Sequence, residues 1–193
     1  MVPPEMNELQ NAARELAARA PATREFADWP ELAEFVPRNH RQCPALPLIK
    51  SWNSEHVPET QRFHEAVLAA ADTVRWERSW SVRQVGADFM NRYGHFELAG
   101  PNGHFRCWKL RIFVSFWGES LYYPWHRHAA EEIYLVTSGS AEFHSQGQSS
   151  QTLGPLGCCR HSSWQPHEMT TFAQPVLTLV MWKGPGLCFP PQM

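Results

Sequence analysis

The chain changes character at Trp76, and that change limits the folds open to it. Before this residue apolar side chains recur at helical spacing; after it, short runs of β-branched and aromatic residues alternate with Gly, Pro and Asn turns. Residues 5–20 predict a first helix, with Leu9, Ala13, Leu16 and Ala17 on one stripe and Pro21 ending it. Residues 22–36 predict a shorter one: Thr23 can cap it, and Phe26, Trp29, Leu32 and Phe35 follow at three-residue spacing despite Pro30. After a loop rich in Pro and Asn, residues 59–74 read as a third helix with Phe63, Val67 and Ala70 on its apolar side.

Downstream, residues 105–117 alternate and then run apolar. Residues 133–136 and 141–144 flank Thr137-Ser138-Gly139-Ser140, a hairpin signal. Residues 151–153, 169–172 and 175–182 continue the strand pattern. A mainly β sandwich or barrel with an N-terminal α-helical extension is expected.

Composition narrows function by exclusion. With 193 residues, 43% hydrophobic and 19% charged, the chain suits one globular domain with one core. A net charge of -2, from 17 Lys+Arg against 19 Asp+Glu, argues against nucleic acid as a partner. No apolar run reaches the roughly 18 to 20 residues needed to span a bilayer, and MVPPEMNELQ lacks a signal-peptide pattern, so no membrane association and a cytoplasmic location are expected. Cys43, Cys107, Cys158, Cys159 and Cys188 have no CxxC spacing and read as reduced, mostly structural thiols. Ten His and nine Trp hint at a lined pocket.

The densest chemical signal is the run Tyr123-x2-His126-x-His128-x3-Glu132-x-Tyr134. On a strand, His126 and His128 point the same way, so two imidazoles can reach one ion. A straight strand would carry Glu132 about 13 Å beyond His128, at roughly 3.3 Å per residue. The chain must therefore bend at Ala129-Ala130 for Glu132 to join them, and Tyr134 then shares Glu132's face. His, carboxylate and phenolate ligands suit Zn, Fe, Mn, Co or Ni.

His126-x-His128-x3-Glu132-x6-Gly139 resembles the first cupin motif, although Gly118 lies two residues too far upstream. The stretch from His161 to His167 resembles the second motif less closely, with Ser162 and Trp164 where Pro and Gly are usual and Thr171 in place of Asn. The run from Tyr123 to Tyr134, together with His167, a late Trp182 and the helical N-terminus, is similar to the cupin-type dimethylsulfoniopropionate lyases, Q type.

That resemblance implies a cupin barrel (a double-stranded β-helix, or jelly roll) over residues 76–193, with residues 1–75 packed on it as one unit. It implies one divalent transition metal on His128, Glu132, Tyr134 and His167, with His126 in or next to that shell. The implied reaction is a β-elimination giving dimethyl sulfide and acrylate from a small zwitterionic substrate, in a monomer or homodimer. Tyr134 is the candidate base, and Tyr123 either positions the substrate or accepts a proton. Trp125, Trp182, Trp117 and Phe143 are candidates for an aromatic cage around the sulfonium.

His161 reads as a residue that orients a ligand. His40, His56, His64, His95 and His104 lie outside the motifs and read as surface or core. Arg127 is expected in a salt bridge, Glu131 outward, and Lys109 and Arg111 together on a solvent face. Two other readings stay open: an Fe(II) dioxygenase on a small carboxylate, and a non-catalytic ligand or metal sensor.

Overall fold

The computed structural model describes residues 1–30, 34–53 and 56–193. Among the described residues five helices precede the sheet: α1 (Pro4–Arg19), α2 (Pro21–Phe26), α3 (Leu46–Ser51), α4 (Pro58–Ala70) and α5 (Val82–Arg92). Pro4 and Pro58 open α1 and α4 at the first-turn position, where a missing N–H costs nothing. Met6, Leu9, Ala13 and Leu16 of α1 pack with Phe63, Val67 and Ala70 of α4 in one buried cluster.

The second helix is shorter than expected. It stops at Phe26, and Ala27 is already extended, because the residue before a proline disfavours helix and Asp28-Trp29-Pro30 follows closely. The expected continuation through residues 31–33 lies outside the described residues. The loop after it contains α3. α5, kinked at Gly86, occupies a stretch that reads as the start of the strands.

Eight strands follow: β1 (Tyr93–Gly100), β2 (Phe105–Arg106), β3 (Leu110–Trp117), β4 (Tyr122–His126), β5 (Glu131–Ser145), β6 (Gln151–Leu153), β7 (Cys158–His161) and β8 (His167–Lys183). The sheet order is β2-β1-β3-β8-β5-β6, with β4 also on β8 and β7 also on β5. The sequence expectation of one strand over residues 105–117 is corrected: β2 pairs parallel with β1, and a break at Cys107–Lys109 releases β3 to run antiparallel to it.

Nor is there a hairpin at Thr137–Ser140. β5 runs straight through, and Gly139 instead serves one of two register shifts that let this long strand bend. Residues 169–172 and 175–182 likewise belong to a single bent strand, β8. β5 and β8 are antiparallel neighbours along most of their length and form the spine of the barrel.

Alternation sorts the side chains. Ile112, Val114 and Phe116 of β3, Ile133 and Leu135 of β5, and Leu177, Leu179 and Met181 of β8 join the helical cluster. Their neighbours Phe113, Trp117, Tyr134, Val136, Val180 and Trp182 fill the second cluster inside the barrel. Central strands buried on both faces explain the continuous apolar runs. Mainly β with N-terminal helices, the fold is the cupin-like barrel that the sequence resembles.

Candidate active site

The strand register assembles the site. His126 of β4 stands opposite His167 of β8, and Glu132 of β5 has His161 on one side and Trp182 on the other. Cross-strand partners on one face hold their Cβ atoms about 4.5 to 5.5 Å apart, so these pairs touch without further adjustment. The chain bends at Ala129 and Ala130, which brings buried His128 back toward Glu132.

Glu132 is the hub. Its Oε2 lies 2.9 Å from His161 Nδ1, 3.1 Å from His167 Nε2 and 3.3 Å from His128 Nε2, while its Oε1 accepts the Trp182 indole N–H at 2.6 Å. The residue is 2% exposed. Burial alone would push its carboxyl up, but the close approach of His128 first, and then of His161 and His167, outweighs that and holds it well below the usual range. The same pair acts in reverse on His128, where the Glu132 charge overcomes burial and raises the imidazole. His126 is driven well down by burial and by His167, which outweigh the Glu132 charge and the Pro124 carbonyl.

Three histidines have one ring nitrogen committed to the backbone. His126 Nδ1 lies 2.9 Å from the Pro124 carbonyl, His128 Nδ1 2.9 Å from that of Ala130 and His167 Nδ1 2.9 Å from that of Gln165. With Nδ1 as donor, each Nε2 keeps its lone pair. Nε2 of His128 and of His167 are both buried with no hydrogen-bond partner. Buried lone pairs aimed at a carboxylate call for a positive charge between them. Two ligand groups, His126/His128/His167 and Glu132/His161/His167, each have their ligand atoms within 4.8 Å of one another. N and O donors in this arrangement fit one divalent transition ion.

Beside this cluster opens a cavity of about 290 Å³, lined by His126, Glu132, Tyr134, Tyr123, Trp117 and Trp182 among others. Tyr134 is 5% exposed, with its ring 5.7 Å from that of His161. Burial, and then the Glu132 charge, raise its phenol well above 10. Tyr123 accepts the Trp80 indole N–H at 3.0 Å, lies 4.2 Å ring to ring from His126, and is raised by burial and by Tyr93.

Of the residues singled out from the sequence, His126, His128, Glu132, Tyr134, His167, Tyr123 and Trp182 are thus brought together. Trp125 is not: it is 44% exposed and does not line the cavity, because its neighbours on β4 take the inward positions. Phe143 packs on Tyr134 behind the cavity rather than in it.

Arg127 forms no salt bridge among the described residues and lies over the Trp164 ring instead, whereas Glu131 turns outward to Arg160. Lys109 is exposed, but Arg111 points inward and lines the cavity. Tyr93 and His95 also line it, joined by a 3.0 Å contact from Tyr93 Oη to His95 Nδ1, so His95 is not remote from the motifs. Period two carries the signal for these: Tyr93, His95 and Glu97 on β1, and Arg111, Phe113, Ser115 and Trp117 on β3, each share a face.

The family model for dimethylsulfoniopropionate lyases matches residues 31–178. The dimethylsulfoniopropionate lyase DddQ of Ruegeria pomeroyi is 33% identical over 169 residues, covering 88% of this chain and 84% of that protein. Its crystal structure matches with a TM-score of 0.92 at 31% identity, over 100% of this chain and 97% of that one. A crystal structure from work on the DMSP lyases RdDddP and RnDddQII matches with a TM-score of 0.95 at 40% identity, over 98% and 97% of the two chains.

Proposed function

This chain belongs to the dimethylsulfoniopropionate lyase family, and we propose that it splits dimethylsulfoniopropionate into dimethyl sulfide and acrylate at the Glu132 cluster, as a cytoplasmic enzyme working on one divalent metal ion. The observation that carries this reading is the buried Glu132 carboxylate facing the free Nε2 atoms of His128 and His167, with two tyrosines beside it.

In the elimination a base takes the proton from the carbon next to the carboxylate. The electrons of that C–H bond form the new C=C bond, and the bond from the β carbon to sulfur breaks, releasing dimethyl sulfide. His128, Glu132, Tyr134 and His167 would hold the ion, with His126 in or next to the shell. Bound there, a divalent ion supplies Lewis acidity toward the substrate carboxylate and lowers the pKa of a neighbouring phenol.

Tyr134 Oη is the assigned proton acceptor, since it lines the cavity two residues from Glu132 on the same strand face. In protein groups alone its phenol is held protonated by burial and by Glu132. Tyr123, held by Trp80, orients the substrate on the opposite wall. The sulfonium head has no hydrogen-bond donor and suits aromatic faces such as those of Trp117, Tyr93 and Tyr123, worth about 0.5 to 2 kcal/mol per contact. Burial of the whole constellation keeps water from the reacting carbon.

The deciding experiment follows dimethyl sulfide and acrylate together, under nitrogen, from protein loaded in turn with Zn, Fe, Mn, Co and Ni. Equal amounts of both products without oxygen support the lyase. Turnover that needs oxygen with Fe(II) would make the chain a dioxygenase, and no turnover with any metal would leave a binding protein.

A further inference from the structure

A buried ion pair, whose Arg111 lines the cavity while its Glu97 does not, has no part in the chemistry above. Arg111 donates from Nη2 and Nε to Glu97 Oε2 at 2.6 and 3.1 Å, and from Nη1 to the Leu187 carbonyl at 3.4 Å. The two side chains are 16% and 4% exposed. Taking both charges out of water costs several kcal/mol per ion, so such a pair is a poor stabilising device and invites a functional explanation.

The backbone makes room for it. A register shift in β1 between Glu97 and Ala99 accompanies the pair, and a Cβ at Gly100 would stand only 1.9 Å from Glu97 Oε1. That oxygen also accepts the Asn102 N–H at 3.1 Å. Glu97 is therefore fixed from three sides, and Arg111 with it.

What Arg111 touches next is Trp182. The guanidinium lies over the Phe113 ring at 4.7 Å and over the Trp182 ring at 5.7 Å, and Phe113 meets Trp182 edge to face at 5.4 Å. Trp182 in turn donates its indole N–H to Glu132 Oε1 at 2.6 Å and stacks on His128 at 4.2 Å. One flat ring thus touches two members of the cluster. With Oε1 occupied by Trp182, Oε2 is the oxygen turned toward His128, His161 and His167.

We propose that Arg111, fixed by Glu97, is a positioning residue that acts through Trp182 to set the orientation of the Glu132 carboxylate and the His128 ring. Trp182 is in this account a strut for two ligands before it is a wall of the substrate cavity. Glu97 and Leu187 engage three of the five N–H groups of Arg111, and a contact from the other two to the substrate carboxylate is the competing role that the kinetics below separate from positioning. The inference rests on the proposed metal role of Glu132 and His128.

The test uses Co(II), whose visible absorption reports the geometry around it, and is read together with kcat and KM. Trp182→Phe keeps a ring but removes the N–H. It is expected to bind Co(II) at least tenfold more weakly, with a changed absorption band, because groups that orient ligands carry about 10- to 100-fold in affinity. Its kcat falls while KM stays within about threefold.

Arg111→Lys keeps the charge beside Glu97 but loses the flat face against the indole, and is expected to move the same band and affinity by about threefold. Should that variant fail to fold, the pair Glu97→Gln with Arg111→Gln removes both charges together and is held to the same outcome. Unchanged Co(II) absorption and affinity in the Arg111 variant overturns the proposal, as does a rise in KM alone, which would make Arg111 a substrate contact. A wild-type protein that binds no Co(II) overturns the metal reading itself and the inference with it.

Discussion

Gly139→Ala should be among the most damaging single-methyl additions to this fold, and the cost can be worked from its surroundings. The residue sits at φ +69, where an L side chain costs about 1 to 2 kcal/mol. The added Cβ would stand 1.9 Å from the Pro175 carbonyl oxygen and 2.9 Å from Trp52 Cζ2, against an ordinary contact of 3.4 Å or more. Pro175 is backbone of β8 and cannot rotate away, so the β5–β8 spine must part locally. Loss of one or two ladder hydrogen bonds at about 1 kcal/mol each, with about 1 to 3 kcal/mol of overpacking, brings the total to about 3 to 7 kcal/mol.

Gly147→Ala is the internal control. It has a similar φ of +83 but nothing within 4 Å of the new Cβ, so it loses only the conformational part. In urea, with a slope of about 2 to 3 kcal/mol per M, Gly139→Ala should lower the midpoint by more than about 1 M and Gly147→Ala by about 0.5 M. Equal shifts for the two variants would refute the packing part of this reasoning.

Other outcomes follow from the same structure. Burial holds the imidazoles of His95 and His104 down at about 4, assisted by Arg111 for the first and by Arg38 and Arg75 for the second. Both stay neutral in the fold while the unfolded chain takes up protons below about 6.5. The stability they leave intact above pH 6.5 is therefore lost between 6.5 and about 4, by about 2 kcal/mol each at pH 5, and urea melts at pH 7 and pH 5 should differ accordingly; a pH-independent midpoint would contradict it. Tyr134→Phe should lower kcat by about 10²- to 10⁴-fold in an otherwise folded protein, and a loss under tenfold in steady-state kinetics would remove it as the base. Trp125→Ala, at an exposed position, should leave kcat/KM within about twofold, and a larger loss would place Trp125 at the substrate after all.

What the sequence reveals of this site is its local part. His126, His128, Glu132 and Tyr134 lie within nine residues, and period two with one bend is enough to gather them. His161 and Trp182 could be singled out as well, but not their shared partner, since strand register brings them to Glu132 from 29 and 50 residues away; the cavity-lining Tyr93, His95 and Arg111 stayed hidden. β1 is obscured because His95 and Glu97 put polar side chains where a core strand usually shows apolar ones. Gly139 misleads in the opposite sense: its left-handed backbone is turn chemistry, spent here on bending a long strand. Trp125 looks like a cage residue by proximity to the histidines, and plain alternation would put it on the face of Tyr123, yet the register shift between Tyr123 and His126 turns His126 inward and leaves Trp125 exposed.

The most direct test of the central claim is dimethyl sulfide release as a function of metal occupancy, starting from protein stripped by a chelator and reloaded in steps. Release should be absent in stripped protein, rise in proportion to bound metal, and level off at one ion per chain, with Glu132→Gln failing to recover at any metal concentration that restores the wild type. Full release from stripped protein, or from Glu132→Gln, would contradict the account.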